Sequence, residues 1–264
     1  MEDFALRTLA EECREILDDP ANDIRLDTET TGEHYLLHGG LHATVFYQLA
    51  RAFERGPHRQ RLGELFLRSM EKVIEKSKTG LNEIQVLLGA ATGALPLLYT
   101  LQYFNKLSHT RAIFAERKII NEYEQVKRYL YIKFGRKPLT EEVAAELTMN
   151  PKDVLEFEQY GEFWVLGRGF SLNPDECVFV VDDVGTTFTT IRGVINAAHH
   201  ACRKNSWDAL IYGFGVLVDR SSNSIPPKIF APTLKFARGL WIPLESYPAD
   251  KCVPCKTGVP LKAV

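Results

Sequence analysis

Apolar and polar positions follow two periods along this chain. Leu6, Leu9, Cys13, Ile16 and Leu17 recur at helical spacing within Phe4 to Leu17, and Asp18-Asp19-Pro20 ends the run, so an amphipathic opening helix is predicted. From Tyr35 to Phe53 short apolar runs are broken by Gly39-Gly40 and resume at Val45-Phe46-Tyr47, a strand or turn region that leads to a helix from Arg61 to Lys76. After Gly80 the texture changes. Ile84 to Leu88 is a short buried strand, Gly89-Ala90-Ala91-Thr92-Gly93 a small-residue loop, and Ala94 to Phe104 a helix. Arg111 to Ala115, Val178 to Val181 and Ala209 to Val218 read as further strands, with a helix from Thr190 to Arg203 before the last. Repeated strand, loop and helix predict an α/β fold, a parallel twisted sheet flanked by helices with ligands at the carboxyl ends of its strands.

Residues 119–163 break this rhythm, because they read as helix between two strands that are otherwise neighbours. The expected organisation is a main domain over 1–118 and 164–264, with a small all-helical insert at 119–163. Pro138-Leu139-Thr140-Glu141-Glu142 is a helix start with Thr140 as its expected cap, and Val143, Ala144 and Leu147 form the apolar stripe. Thr148 to Pro151 is a turn, and Pro151 to Tyr160 is the next helix. The segment resembles the helix-turn-helix units of bacterial sigma factors.

Composition narrows the function classes. The chain has 264 residues, and its net charge of -2 gives no general attraction to nucleic acid or anionic membrane, so a polyanion needs a local site. No apolar run reaches the length of a membrane span, and Met1-Glu2-Asp3 lacks the basic-then-apolar layout of an export signal; a cytoplasmic protein is expected. Five cysteines, an odd number, do not form a secreted disulfide pattern. Cys252 and Cys255 have the spacing of half a zinc site, but no second pair accompanies them along the chain, and no metal ligands are assigned. His34, His38 and His42 are four apart, yet Gly39-Gly40 argues against a helix that would align them.

Candidate chemistry sits at Val178 to Thr190. Asp182 and Asp183 end a strand of four apolar residues, with Thr186, Thr187, Thr189 and Thr190 following. Carboxylates accept hydrogen bonds from sugar hydroxyls or hold magnesium through water, and hydroxyls with helix-start amides bind phosphate. The same spacing also suits a βα turn merely capped by Asp and Thr.

Segments in the same order along the chain resemble orotate phosphoribosyltransferases. They are Gly40-Leu41-His42 with Phe46-Tyr47-Gln48, Leu88 to Gly93, Phe114 to Lys118, Gly167-Arg168-Gly169-Phe170, Val181-Asp182-Asp183-Val184 and Val218-Asp219-Arg220-Ser221. The tail, from Tyr247-Pro248 through Cys252 and Cys255 to Gly258-Val259-Pro260, is similar to one branch of the family. The resemblance implies a phosphoribosyltransferase fold and transfer of a phosphoribosyl group from phosphoribosyl diphosphate to orotate or a related base, with magnesium, by a homodimer. It assigns the ribose hydroxyls to Asp182 and Asp183, and the 5′-phosphate to Thr186, Thr187, Thr189 and Thr190. Pyrophosphate falls to Ala90, Ala91, Thr92 and Gly93, and the leaving group, usually in the partner subunit's site, to Arg117 and Lys118. Arg220, Phe46 and Tyr47 are assigned to the base.

Three contact loops depart from the family pattern. Phe188 stands where the phosphate loop normally has glycine: a ring turned into the sheet leaves the site intact, and a ring turned inward abolishes phosphate binding. Ile119 to Tyr123 replace further basic residues after Arg117-Lys118, and His38-Gly39 and Ala43 stand where serines are common. These departures and the insert motivate an alternative, an impaired protein of the same fold acting as a ligand-sensing or DNA-binding regulator. A nucleic-acid partner is not favoured, because Pro151 to Tyr160 carries Asp153, Glu156 and Glu158 against the single Lys152. The cations instead precede it, at Lys127, Arg128, Lys133, Arg136 and Lys137.

Overall fold

The computed structural model describes residues 2–37, 40–74, 80–91, 93–118, 122–160, 163–203, 207–221 and 233–264. The amino-terminal part contains helix α1 (Glu2–Asp18), strand β1 (Arg25–Asp27), the single-turn helix α2 (Thr28–Thr31), and strands β2 (His34–Leu36), β3 (His42–Ala43) and β4 (Val45–Tyr47). Helices α3 (Leu49–Glu54) and α4 (Gly56–Ile74) follow. The α/β part comprises β5 (Val86–Ala90), α5 (Leu95–Gln102), β6 (Arg111–Lys118), β7 (Phe163–Leu166), β8 (Cys177–Gly185), α9 (Thr189–Arg203), β9 (Leu210–Asp219) and β10 (Lys235–Trp241). Helices α6 (Tyr123–Phe134), α7 (Thr140–Glu146) and α8 (Pro151–Tyr160) lie between β6 and β7, and the tail holds β11 (Ser246–Tyr247), α10 (Val253–Lys256) and β12 (Leu261–Ala263).

A six-stranded sheet in the order β10-β9-β8-β5-β6-β7 carries the fold, parallel throughout except for β7, which runs antiparallel to β6. Both faces are covered, which is why the central strands are near-continuous apolar runs. Leu87, Phe179, Val181 and Leu217 turn to one face and pack with α1, α4 and α5; Val86, Leu88, Val178, Val180, Phe214 and Val216 turn to the other and pack with α9. Each fully buried Leu or Phe in these layers contributes about 1.5–3 kcal/mol of transfer free energy, so the strand ends they carry are rigidly placed.

Two strands of this sheet went unread in the sequence. Lys235–Trp241 is an edge strand whose half-covered residues blur the pattern, and Phe163–Leu166 directly follows helical sequence. Phe163 is thus a strand residue, paired with Lys118, rather than the last residue of the insert. Helices α6, α7 and α8 share a small core with β7, made of Tyr123, Leu130, Val143, Ala144, Val154 and Phe163. Thr140 is the first helical residue and not the cap: Leu139 holds the cap position, and its N–H donates to Glu142 Oε2 at 2.8 Å. Among the described residues no helix is long and apolar enough to cross a membrane.

Candidate active site

Sheet order brings four separate segments to one edge. Strands β9, β8, β5 and β6 lie side by side, so their carboxyl ends place Arg220, Asp182 and Asp183, Ala90, Ala91 and Gly93, and Arg117 with Lys118 in a row. Thr92 lies outside the described residues. The Ala91 N–H donates to Ala115 O at 2.9 Å, which fixes the loop after β5 against β6. Small residues are required here: a Cβ at Gly93 in the loop would stand 2.9 Å from Asp183 Oδ1, and one at Gly89 in β5 would stand 2.7 Å from the Ala94 Cβ. The loop after β5 therefore touches the acidic pair of β8.

Asp182 is buried and Asp183 half-buried. Backbone amides partly serve them, with the Asp183 N–H donating to Asp182 Oδ1 at 3.1 Å and the Val184 N–H to Asp183 Oδ1 at 2.9 Å. Burial pushes both carboxyls up, Asp182 well above its ordinary range because the charge of Asp183 adds to desolvation. No cation among the described residues offsets this pair. A buried carboxylate pair is costly by itself and fits donors from sugar hydroxyls and a divalent cation.

The loop between β8 and α9 fixes the direction of Phe188. Its ring is 3 % exposed and packs edge-on against Phe214 and Phe236, with centroids 6.2 and 5.7 Å away. The ring is turned into the sheet. Gly185 makes the room, since a Cβ there would lie 2.8 Å from Phe188 Cε1. The backbone at Phe188 takes φ +59°, the left-handed conformation that glycine adopts most readily. Phe188 thus keeps a glycine-like backbone while its side chain joins the core. Thr186 and Thr190 are half-buried and Thr187 is exposed; Thr187 and Thr189 share a hydroxyl contact of 3.0 Å at the start of α9, where helix amides point outward.

Arg220 is buried at the end of β9. Its N–H donates to Gly185 O at 2.7 Å and its Nη2 to Val45 O at 3.2 Å, which joins β9 to both the phosphate loop and β4. Its Nε is buried without a hydrogen-bond partner, and burial lowers the guanidinium to about 10. A buried cation with an unsatisfied donor suits a carboxylate ligand. Of the two aromatic candidates beside it, Tyr47 is committed elsewhere: its ring lies in the main core and its hydroxyl donates to Asp18 Oδ1 at 2.6 Å. Phe46, facing the opposite side of β4, stays half-exposed and lies 6.0 Å from the Tyr35 ring.

Arg117 and Lys118 project from the exposed end of β6. Lys118 Nζ meets Glu116 Oε2 at 2.6 Å, a surface pair weak enough to exchange for a more highly charged anion. The inserted helices begin just beyond. In α8, Asp153 Oδ1 lies 2.8 Å from His200 Nδ1 on α9, and Val154 is fully buried. Glu158 accepts a hydrogen bond from Tyr123 within the insert. The acidic helix therefore packs on β7 at the sheet edge and approaches α9 through the Asp153–His200 pair.

A second cluster was missed in the sequence. His34, His42, Cys252 and Cys255 bring their ligand atoms within 4.8 Å of one another. The search for a partner pair looked for spacing along the chain, whereas strand pairing closes a gap of more than 200 residues: β2 pairs with both β3 and β12, and β3 with β11. The histidines at β-hairpin positions were the available signal.

A parallel sheet with an acidic pair and a threonine-rich loop at its carboxyl edge is the fold seen in phosphoribosyltransferases. The chain shares this fold with the orotate phosphoribosyltransferase of Mycobacterium tuberculosis H37Rv solved with inorganic phosphate, at TM-score 0.50 and 14% identity, covering 89% of this chain and 96% of that one. By sequence it is a relative of the orotate phosphoribosyltransferases. It is 26% identical over 228 residues to that of Thermoanaerobacter sp. (strain X514), covering 86% of each chain. To that of Pelotomaculum thermopropionicum it is 38% identical over 95 residues, 36% of this chain and 44% of the relative. Residues 118–161 match the family model for sigma-70 region 3.

Proposed function

We propose that this protein transfers a phosphoribosyl group from phosphoribosyl diphosphate to orotate, releasing pyrophosphate, and that it acts with magnesium as a cytoplasmic homodimer. The observation that carries this reading is the buried Phe188 ring with its glycine-like backbone, because it leaves the phosphate loop open beside Asp182 and Asp183. Sequence kinship with orotate phosphoribosyltransferases over 86% of the chain supports orotate as the base.

The bond from the sugar's anomeric carbon to pyrophosphate breaks as the bond to the base nitrogen forms, through a state resembling a ribosyl cation. Little acid or base chemistry is needed, so positioning and electrostatics dominate. Asp182 and Asp183 accept hydrogen bonds from the ribose hydroxyls and face the developing cation. Thr186, Thr187, Thr189 and Thr190, with the first amides of α9, hold the 5′-phosphate. The loop Ala90 to Gly93 cradles pyrophosphate, and Arg220 pairs with the orotate carboxylate beside Phe46. Magnesium, when bound, neutralises charge on the leaving pyrophosphate, and the uncompensated carboxylates fit it. Arg117 and Lys118, exposed at a strand end, are suited to reach the leaving group across a dimer.

The test is the fall in orotate absorbance on mixing purified protein with phosphoribosyl diphosphate, magnesium and orotate. Turnover that needs all three components is expected; retained ligand binding without turnover would overturn the reading. The docked acidic helix gives the DNA-binding alternative no cationic surface on α8.

A further inference from the structure

We propose that His34, His42, Cys252 and Cys255 form a structural zinc(II) site that ties the carboxyl-terminal tail to the β2–β3 hairpin. The geometry points to a tetrahedral ion. Zinc bonds of about 2.0–2.1 Å to nitrogen and 2.3 Å to sulfur imply tetrahedral edges of about 3.3 Å between nitrogens and about 3.6 Å between nitrogen and sulfur. His34 Nε2 lies 3.3 Å from His42 Nδ1, and Cys255 Sγ lies 3.2 Å from each of these atoms. The nitrogen edge already has the required length, and the sulfur edges need an outward shift of a few tenths of an ångström.

The outer contacts prepare the site. His34 Nδ1 lies 3.0 Å from Pro260 O, so its proton is held there and Nε2 presents a lone pair inward. Both imidazoles are more than nine-tenths buried, as is Cys252. Two histidines and two thiols facing one another, with no carboxylate among them, constitute a soft nitrogen and sulfur set suited to tetrahedral zinc.

The surrounding fold gives the ion a task. The four-stranded sheet β11-β3-β2-β12 is built from strands of two or three residues, and its buried Tyr35, Leu37 and Ala43 belong to none of the three apolar clusters. So small a sheet lacks the apolar burial to hold itself, and a metal clip is a recurrent remedy. Zinc would fix β3 immediately before β4, whose Val45 carbonyl receives Arg220. The site is thereby a support for the substrate edge, made of residues outside it.

The test uses the full chain, expressed without a polyhistidine tag, purified without chelator and measured by elemental analysis. About one zinc per chain is expected from a four-ligand site. Cys255→Ser and His34→Ala should reduce this to a small fraction of one, while Cys202→Ser, in the helix α9 core, should keep it. Should the ligand variants prove insoluble, cobalt(II) exchange into the wild-type protein decides. Tetrahedral d–d bands with thiolate-to-cobalt charge transfer would support the proposal. A wild-type protein that neither contains nor takes up metal, or that carries a Cys252–Cys255 disulfide by mass measurement, would overturn it.

Discussion

Phe188 offers a test in which two ordinary rules predict opposite orders. Replacing it with alanine removes a nearly fully buried ring from Phe214 and Phe236, and such a truncation costs about 3–5 kcal/mol. The alanine keeps the strain of φ +59°, about 1–2 kcal/mol for a residue with a Cβ. Phe188→Gly loses the same ring but releases that strain, against an added unfolded-state entropy of about 0.4–1 kcal/mol. The glycine variant should therefore be more stable than the alanine variant by about 0.5–1 kcal/mol, the reverse of the usual order. Urea unfolding of the three proteins, compared by midpoint at equal slope, measures it. Phosphoribosyl diphosphate affinity should change little in the glycine variant, because its backbone conformation is the same. A glycine variant less stable than alanine would refute the glycine-like backbone at Phe188, and a variant that binds the sugar diphosphate much more tightly than wild type would refute the placement of the ring.

Further predictions concern the charged groups and the insert. Burial raises the Asp182 carboxyl, so ionising it opposes folding, and the ligand-free protein should lose stability as pH rises from the ordinary carboxylate range, about 4, through the raised value. Asp182→Asn should escape this loss, so its advantage in thermal midpoint over wild type grows with pH while turnover collapses; an advantage independent of pH would contradict the shift. Arg220→Ala should raise the KM for orotate about 10–100-fold, equivalent to a charge-assisted hydrogen bond of about 1.5–3 kcal/mol, with partial recovery in Arg220→Lys. An unchanged KM would remove Arg220 from the base site. Labelled duplex DNA should show no polarisation change with the protein even at low salt, since α8 is acidic and docked; a salt-dependent shift would return the insert to nucleic-acid binding.

The sheet interior was legible because residues 86–90, 177–181 and 213–218 are buried and leave unbroken runs of apolar and glycine residues. The acidic pair was legible because it follows such a run directly. What the sequence left open depended on contacts between distant residues. The direction of Phe188 is decided by Gly185 and by Phe214 and Phe236, none of which marks itself as its partner in one dimension. The family resemblance assigns Tyr47 to the base, yet Asp18, at the end of the first helix, accepts a hydrogen bond from its hydroxyl. Strand pairing likewise concealed the ligand cluster, because parallel pairing of β2 with β12 joins the two ends of the chain.

The central claim is that Asp182, Asp183 and the loop through Thr190 form an intact phosphoribosyl diphosphate site despite Phe188. Calorimetric titration of the wild-type protein with phosphoribosyl diphosphate, with and without magnesium, addresses it directly. One molecule per chain is predicted, tighter with magnesium and lost in Asp183→Ala; an absence of binding by folded wild-type protein would contradict the claim.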